Sequence, residues 1–263
     1  MPDTLFVPEG DAYLPTDATL GPWGPQLLHG GPVSALCTAL MEDEGGDGFT
    51  TVRFSGDFVR PLAQQPLTFG SRVVREGRRL QLVEGELDAA GKLVARCSLL
   101  RLRPLPIELP DDAVAASPAA PPDRPEDFHR DPGNPSFPGT FFLGTGIELH
   151  TREPGGFRDG EGWFRLLLPV LPGRDEPSPM TRAVAAADFG NGISGFGEWP
   201  ATIAFPNGDL VVHLARPVEG EWVRLASTST WTADGIGLAT GRLWDRRGQV
   251  GVSQQSLVLS PAG

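Results

Sequence analysis

Residues 27–41 read LLHGGPVSALCTALM, and the apolar residues Val33, Leu36, Cys37, Leu40 and Met41 fall at the i, i+3, i+4, i+7, i+8 spacing of a helix that buries one face. Pro32 belongs in the first turn, where its missing N–H costs nothing. Gly30 and Gly31 carry no side chains, so another group can come close to the positive end of that helix. The geometry suits a polarised carbonyl oxygen as well as a plain turn. Four strand-like runs follow: TTVRFSGDFVRP (50–61), LTFGSRVVREG (67–77), RRLQLVEGELDAAG (78–91) and KLVARCSLLRL (92–102). They are rich in β-branched residues and joined by tight turns of acidic residues and glycine.

The same order recurs. A helix is expected at about 179–191, followed by DLVVHLARP (209–217), EWVRLASTSTWTADG (221–235), IGLATGRLWDRRG (236–248) and QVGVSQQSLVL (249–259). Arg60-Pro61 matches Arg216-Pro217, Glu76-Gly77 matches Asp234-Gly235, and Asp88-Ala89-Ala90-Gly91 matches Asp245-Arg246-Arg247-Gly248, at offsets of 156 to 158. Each half therefore reads as one helix against a four-stranded antiparallel sheet. FRLLLPVL (164–171) reads as a strand ahead of the second helix, and TLFVP (4–8) as its weaker counterpart. Between them, Pro104 to Pro138 holds ten prolines and no sustained periodicity, a linker composition. The expected division is residues 1–104, a linker at 105–138, and residues 139–263.

With 263 residues the chain can bury two cores, and 40% hydrophobic with 21% charged residues is ordinary for a globular protein. A net charge of -11 argues against nucleic acid or an anionic membrane as partner. Cys37 lies in the helical stripe and Cys97 in a strand, so both are expected as reduced core residues. Four scattered histidines and two distant cysteines give no zinc spacing, and neither a metal nor a cofactor is expected. Without a signal-like start or an 18-residue apolar run, a cytoplasmic location is the default.

Taken in order, GPWGPQLLHGGPVSAL, DFVRPL and REGRRLQLVEGEL in the first half, with AAADFGNGIS, NGDLVVHLARPVEGEW and DGIGLATGRLWDRRGQVGVSQQSL in the second, resemble the double-hotdog acyl-CoA thioesterases of the thioesterase II type. The resemblance spans nearly the whole chain outside the linker. It implies an α+β fold of two hotdog units, each a long helix wrapped by a curved antiparallel sheet, fused in one chain with their sheets edge to edge. It also implies hydrolysis of an acyl-CoA thioester where the units meet, with the attacking water held by Asp188, Asn207 and Gln254. Some relatives have Thr at the middle position, so Asn207 departs from part of the family.

The residues can also be weighed individually. Ser178 is a good N-cap and Pro179 a good first helical residue, which puts Met180, Val184 and Asp188 on one stripe. An acid there is costly unless paired, and taking a carboxylate out of water inclines it to take up a proton, as a general base must. The alternative is that the helix ends before Asp188 and DFGNG is its capping turn. Gln254 alternates with Val250, Val252 and Val258 on one strand face, and an uncharged amide can orient a water without competing for its proton. Gln255, on the other face with Ser253, Leu257 and Leu259, is the spare candidate. Asn207 sits in FPNGD, first of all a turn signal.

His29, Gly30 and Gly31 are expected to bind substrate, the helix N-terminus receiving the thioester carbonyl oxygen; His29 has an equally simple reading as a loop cap and receives no catalytic role. Trp23, Trp199 and Trp222 either line a pocket or close a core. Direct attack by Asp188 to form a mixed anhydride is open. So are a hotdog hydratase or dehydratase, which would want Asp and His working together, and a non-catalytic acyl-ligand binding protein. Apolar surface left after the sheets join is expected to support self-association into a homo-oligomer.

Overall fold

The computed structural model describes residues 2–24, 26–115, 123–131, 141–196 and 202–262. Its N-terminal half contains strands β1 (Phe6–Glu9) and β2 (Ala12–Pro15), helix α1 (Gly30–Gly45), and strands β3 (Thr50–Phe58), β4 (Leu67–Glu76), β5 (Leu80–Ala89) and β6 (Lys92–Leu102). A one-turn helix, α2 (Asp111–Ala115), and a two-residue strand, β7 (His129–Arg130), follow. Then come β8 (Ile147–Thr151), β9 (Glu161–Leu166), α3 (Pro179–Ala187), α4 (Gly190–Ile193), β10 (Ile203–Ala204), β11 (Asp209–Leu214), β12 (Trp222–Trp231), β13 (Ile236–Asp245), β14 (Gly248–Val258) and β15 (Ser260–Pro261).

Both helix-plus-four-strand blocks form as their sequence patterns dictate, and they join into one antiparallel sheet in the order β1-β2-β4-β5-β6-β3-β11-β14-β13-β12-β9-β8-β7. The seam is β3 against β11, with Asp57 opposite Asp209 and Phe54 opposite Val212. Pairing the two blocks there covers two edges that would otherwise present unpaired N–H and C=O groups. The repeat survives in the register: Ser55 faces Ser98 and, 156 residues later, Val211 faces Gln254. Of the expected 164–171 strand only 164–166 is strand, as the end of β9, which starts earlier at Glu161; the 4–8 strand appears as β1, shifted to Phe6–Glu9. Backbone N–H groups of Leu5 and Phe6 donate to the carbonyls of Pro169 and Val170 at 2.9 and 3.0 Å, tying the two blocks together again.

The helices differ from a one-faced stripe. In α1 every residue from Gly31 to Ala39 is buried, and in α3 so are Met180, Thr181 and Ala183 to Ala187. The sheet curls around α1 and α3 while they pack against each other, so from Gly31 to Ala39 and from Ala183 to Ala187 no face is left for water, while the last turn of α1 reaches it. This is why small residues (Ala35, Ala39, Ala183, Ala185, Ala187) occur where an amphipathic reading expects polar ones. Cys37 and Cys97 are free and buried, as expected. Phe54, fully buried on the seam strand, adds about 1.5–3 kcal/mol by leaving water. In the proline-rich stretch the described residues hold only α2, a 3-10 turn at Pro125–Asp127, and β7, which hydrogen-bonds to β8.

The matched Arg-Pro and Asp-containing motifs turn out to be clamps. Asp245, at the β13–β14 turn, accepts from Arg216 at 2.5 and 2.6 Å and from the backbone N–H groups of Glu219, Arg247 and Gly248 at 2.9, 2.8 and 3.2 Å. In the first half, Arg60 instead donates to the backbone carbonyl of Leu93.

Burial pushes the Asp245 carboxyl up, but Arg216 and the turn amides outweigh it and hold it below the usual carboxylate range. Glu148 is likewise held low, burial being outweighed by Arg165, His150 and Arg130, and Glu161 by Arg224 and Arg152. Groups held low in the folded state release their protons more readily there than in the unfolded chain. Their contribution is complete above about pH 4, near the unfolded carboxylate values, and is lost as pH falls through the lower folded values. Melting temperature should therefore drop steeply in acid below about pH 4; a flat profile there would show that these pairs do not stabilise the fold.

Candidate active site

The two helices run past each other so that the C-terminal end of α3 meets the N-terminal end of α1, and Asp188 stands at that meeting. Helix α3 ends at Ala187 with Asp188 as its C-cap, still in the right-handed helical region (φ -66°, ψ -13°), before the chain turns into α4. The expected helix to residue 191 is thus corrected to α3, a turn, and α4. Both sequence readings of Asp188 hold in part: it ends the helix, and it is 3% exposed.

Three side chains share its buried carboxylate and backbone oxygen. Oδ1 accepts from Asn207 Nδ2 at 2.9 Å. Gln255 Nε2 lies 3.2 Å from the Asp188 backbone oxygen and 3.4 Å from Oδ1. The Gln255 Oε1 in turn accepts from the Asn191 backbone N–H at 2.9 Å, which fixes the amide's orientation. From the other half of the chain, His29 Nδ1 lies 2.8 Å from Asp188 Oδ2. The same Nδ1 is 3.1 Å from the Gly31 N–H, for which His29 serves as N-cap. One ring nitrogen cannot both donate to Oδ2 and accept from Gly31. The carboxylate contact is the shorter, so the geometry favours Nδ1–H donating to Oδ2.

The glycine pair has a definite use. A Cβ on Gly30 would lie 2.8 Å from both Asp188 carboxylate oxygens and 2.9 Å from Phe58 Cζ; on Gly31 it would lie 3.0 Å from the Ala185 carbonyl oxygen. The group that approaches the helix N-terminus is therefore first of all the protein's own carboxylate. Aromatic rings wall the imidazole, Phe189 at 4.4 Å and Phe142 at 5.3 Å between centroids.

Gln254 is corrected. It is exposed, while Gln255, 1% exposed, is the amide at Asp188. The cause is a β-bulge: Leu243 pairs with Gly251 and Trp244 with Gln249, so Val250 is an extra residue and both Val250 and Gly251 are buried. Inward-facing positions change parity there, from 248 and 250 to 251, 253, 255 and 257. Unbroken alternation from Val250 therefore selects the wrong glutamine.

Asn207 and Asp188 are brought together as expected. The His29 contact and the Asn191 support are additions that sequence reasoning missed, because each depends on tertiary docking. Trp23 packs edge-on against Phe205 at 5.3 Å, and Trp222 packs against His150 at 4.7 Å. Trp199 lies outside the described residues.

Two helices, each backed by its own four strands, in a single continuous sheet with a site between the helix ends, define a double-hotdog protein of the α+β class. Residues 19–102 match the sequence model of the acyl-CoA thioesterase N-terminal domain, and residues 113–259 that of the C-terminal domain. The chain belongs to the acyl-CoA thioesterase family and is a thioester hydrolase.

Among solved structures it is similar to a protein from Thermobifida fusca YX described as a thioesterase II (TM-score 0.72, 19% identity, 98% of this chain and 96% of that one). It is also similar to the acyl-CoA thioesterase II TesB2 from Mycobacterium marinum (TM-score 0.64, 17% identity, 97% and 94%). A hotdog-fold protein of unknown function from Alicyclobacillus acidocaldarius gives TM-score 0.70 at 15% identity over 98% and 96%. At these identities the likeness speaks to fold. No curated protein matches the sequence. Among the described residues no helix is long and apolar enough to cross a membrane.

Proposed function

We propose that the chain hydrolyses acyl-CoA thioesters by water attack, with Asp188 as general base. The observation that carries this reading is a buried carboxylate held by Asn207 and Gln255 from its own half and faced by His29 and Gly30 from the other. A water beside Asp188 gives up a proton to the carboxylate as its oxygen bonds to the thioester carbon. The C–S bond then breaks, and the leaving thiolate takes a proton as free acid and CoA separate. Asn207 and Gln255 hold the carboxylate and the water in line, and their fixed hydrogen bonds reduce the cost of reaching that arrangement. The Gly30 N–H at the helix N-terminus is the donor for the carbonyl oxygen as it gains charge.

The revised glutamine assignment makes a sharp contrast. Removing a hydrogen bond to a charged group costs about 1.5–3 kcal/mol, so Gln255→Ala should slow thiol release about 10- to 100-fold. Gln254→Ala should stay within about twofold of wild type. Thiol release from short, medium and aromatic acyl-CoAs reads both; a loss with Gln254→Ala and none with Gln255→Ala would reverse the correction.

The His29 contact also lends something to a hydratase reading, which needs an acid and an imidazole together. Mixing the protein with an enoyl-CoA and following loss of the conjugated double bond separates the two, since a thioesterase releases thiol instead. The division into units at 1–104 and 139–263, and self-association, belong to the same proposal. Ile236 and Val258, paired across β13 and β14 and 65% and 59% exposed, are the apolar surface for association, which sedimentation velocity would reveal.

A further inference from the structure

The two antiparallel helices have two meeting points, and only one of them is the Asp188 site. At the other, the C-terminal part of α1 meets the N-terminal end of α3. Glu42 stands there, three residues beyond Ala39, which is the residue that matches Asp188 when the N-caps His29 and Ser178 are aligned. Its Oε1 accepts from Thr51 Oγ1 at 2.6 Å, and Thr51 precedes Asn207 by 156 residues, the spacing that relates the two sheets. Ser178, the N-cap of the opposite helix, lies beside Glu42 there and donates its hydroxyl to Thr181 Oγ1 at 3.0 Å.

A buried amide is present too. Gln81 Nε2 donates to the carbonyl of Gly45 at the end of α1 at 2.9 Å, as Gln255 Nε2 does to the carbonyl of Asp188. Beside this constellation a half-open cleft of about 400 Å³ lies between α1, the start of α3 and the segment 170–177, lined by Ala39, Glu42, Gly173, Ser178 and Thr181 among others. That lies within the range of small-molecule sites. Burial pushes the carboxyl of half-buried Glu42 up, against the Thr51 hydrogen bond.

We propose that this cavity is a second pocket, related to the active site by the internal repeat, that binds the acyl-pantetheine arm of a thioester without hydrolysing it. The proposal rests on the thioesterase reading. Three differences remove the chemistry and leave the binding. Leu99 occupies the place of Gln255, again 156 residues earlier, so no amide on that strand can orient a water. Pro179 and Met180 follow the N-cap where Gly30 and Gly31 follow His29; proline has no N–H to polarise a carbonyl, and methionine blocks close approach. Gln81 is already engaged by Arg101, whose Nη1 donates to its Oε1 at 2.8 Å. On the rim Asp43 is paired with Arg174 while Asp175 and Glu176 add further negative charge, so the net charge disfavours nucleotide phosphates and leaves the uncharged arm as the part recognised.

Calorimetric titration of the full chain with S-hexylpantetheine, a thioether that cannot be hydrolysed, tests this. Two molecules per chain are expected for wild type and for Asp188→Asn. One is expected for Ala39→Phe, which fills the cavity with a ring. Glu42→Gln, nearly isosteric and so a safeguard if Ala39→Phe fails to fold, should weaken the second event several-fold and leave thiol release from acyl-CoA unchanged. A single event in wild type, or two undiminished events in both cavity variants, would overturn the second pocket while leaving the thioesterase reading in place. No uptake at all by wild type would defeat both.

Discussion

Asp188→Asn is expected to lower turnover of a good acyl-CoA substrate by roughly 10² to 10⁴, the range over which general acid–base catalysis acts. The amide fills the same space and can keep the hydrogen bond from Asn207 that Oδ1 accepts at 2.9 Å, but it cannot take a proton from water. Gly30 and its backbone N–H are untouched, so substrate binding should persist and the loss should appear in turnover. Stability should hold or rise, because a neutral group replaces a carboxylate that is 3% exposed. Single-turnover hydrolysis with thermal melts on both proteins is the measurement. A near-normal rate in the variant would show Asp188 to be a capping residue.

The largest effect on stability is expected at Asp245. Its side chain is 0% exposed and satisfies Arg216 together with three backbone N–H groups of the turn. Asp245→Ala leaves all of these donors facing a cavity, and removing one member of such a buried set costs about 3–5 kcal/mol. Urea unfolding should show the midpoint fall with little change in slope. Arg242→Ala, an exposed change on the same strand, is the control and should lie within about 0.5 kcal/mol of wild type. Equal effects of the two would mean that the clamp is decorative.

Much of the fold was legible in the sequence because its determinants are local. Alternating β-branched runs, acidic-Gly turns and the Ser178-Pro179 helix start are each written within a few residues, and their repetition at 156 to 158 located both halves. The burial of α1 and α3 on all sides over most of their length was not legible. It depends on how far a sheet curls, which no stretch of either helix encodes.

At the site, Asp188 stood out because an acid occupied a leucine position, and Asn207 came from the family likeness. Gln254 also comes from the family likeness, by motif position, and an alternation carried straight through Val250 gives no reason to prefer Gln255. A bulge is fixed by the partner strand's register, so it leaves no mark in its own sequence. His29 was read as a loop residue beside substrate, since nothing in residues 27–34 tells which group from 159 positions later will arrive next to it.

That last separation bears on the order of events when the chain folds. Helices and hairpins form from near neighbours, whereas the contact between residues 29 and 188 must wait for the loop between them to close and the halves to dock. After dilution from denaturant, far-ultraviolet ellipticity should therefore recover before hydrolysis does. The lag between them should follow formation of the β3–β11 seam, making enzymatic activity a clock for the final docking step.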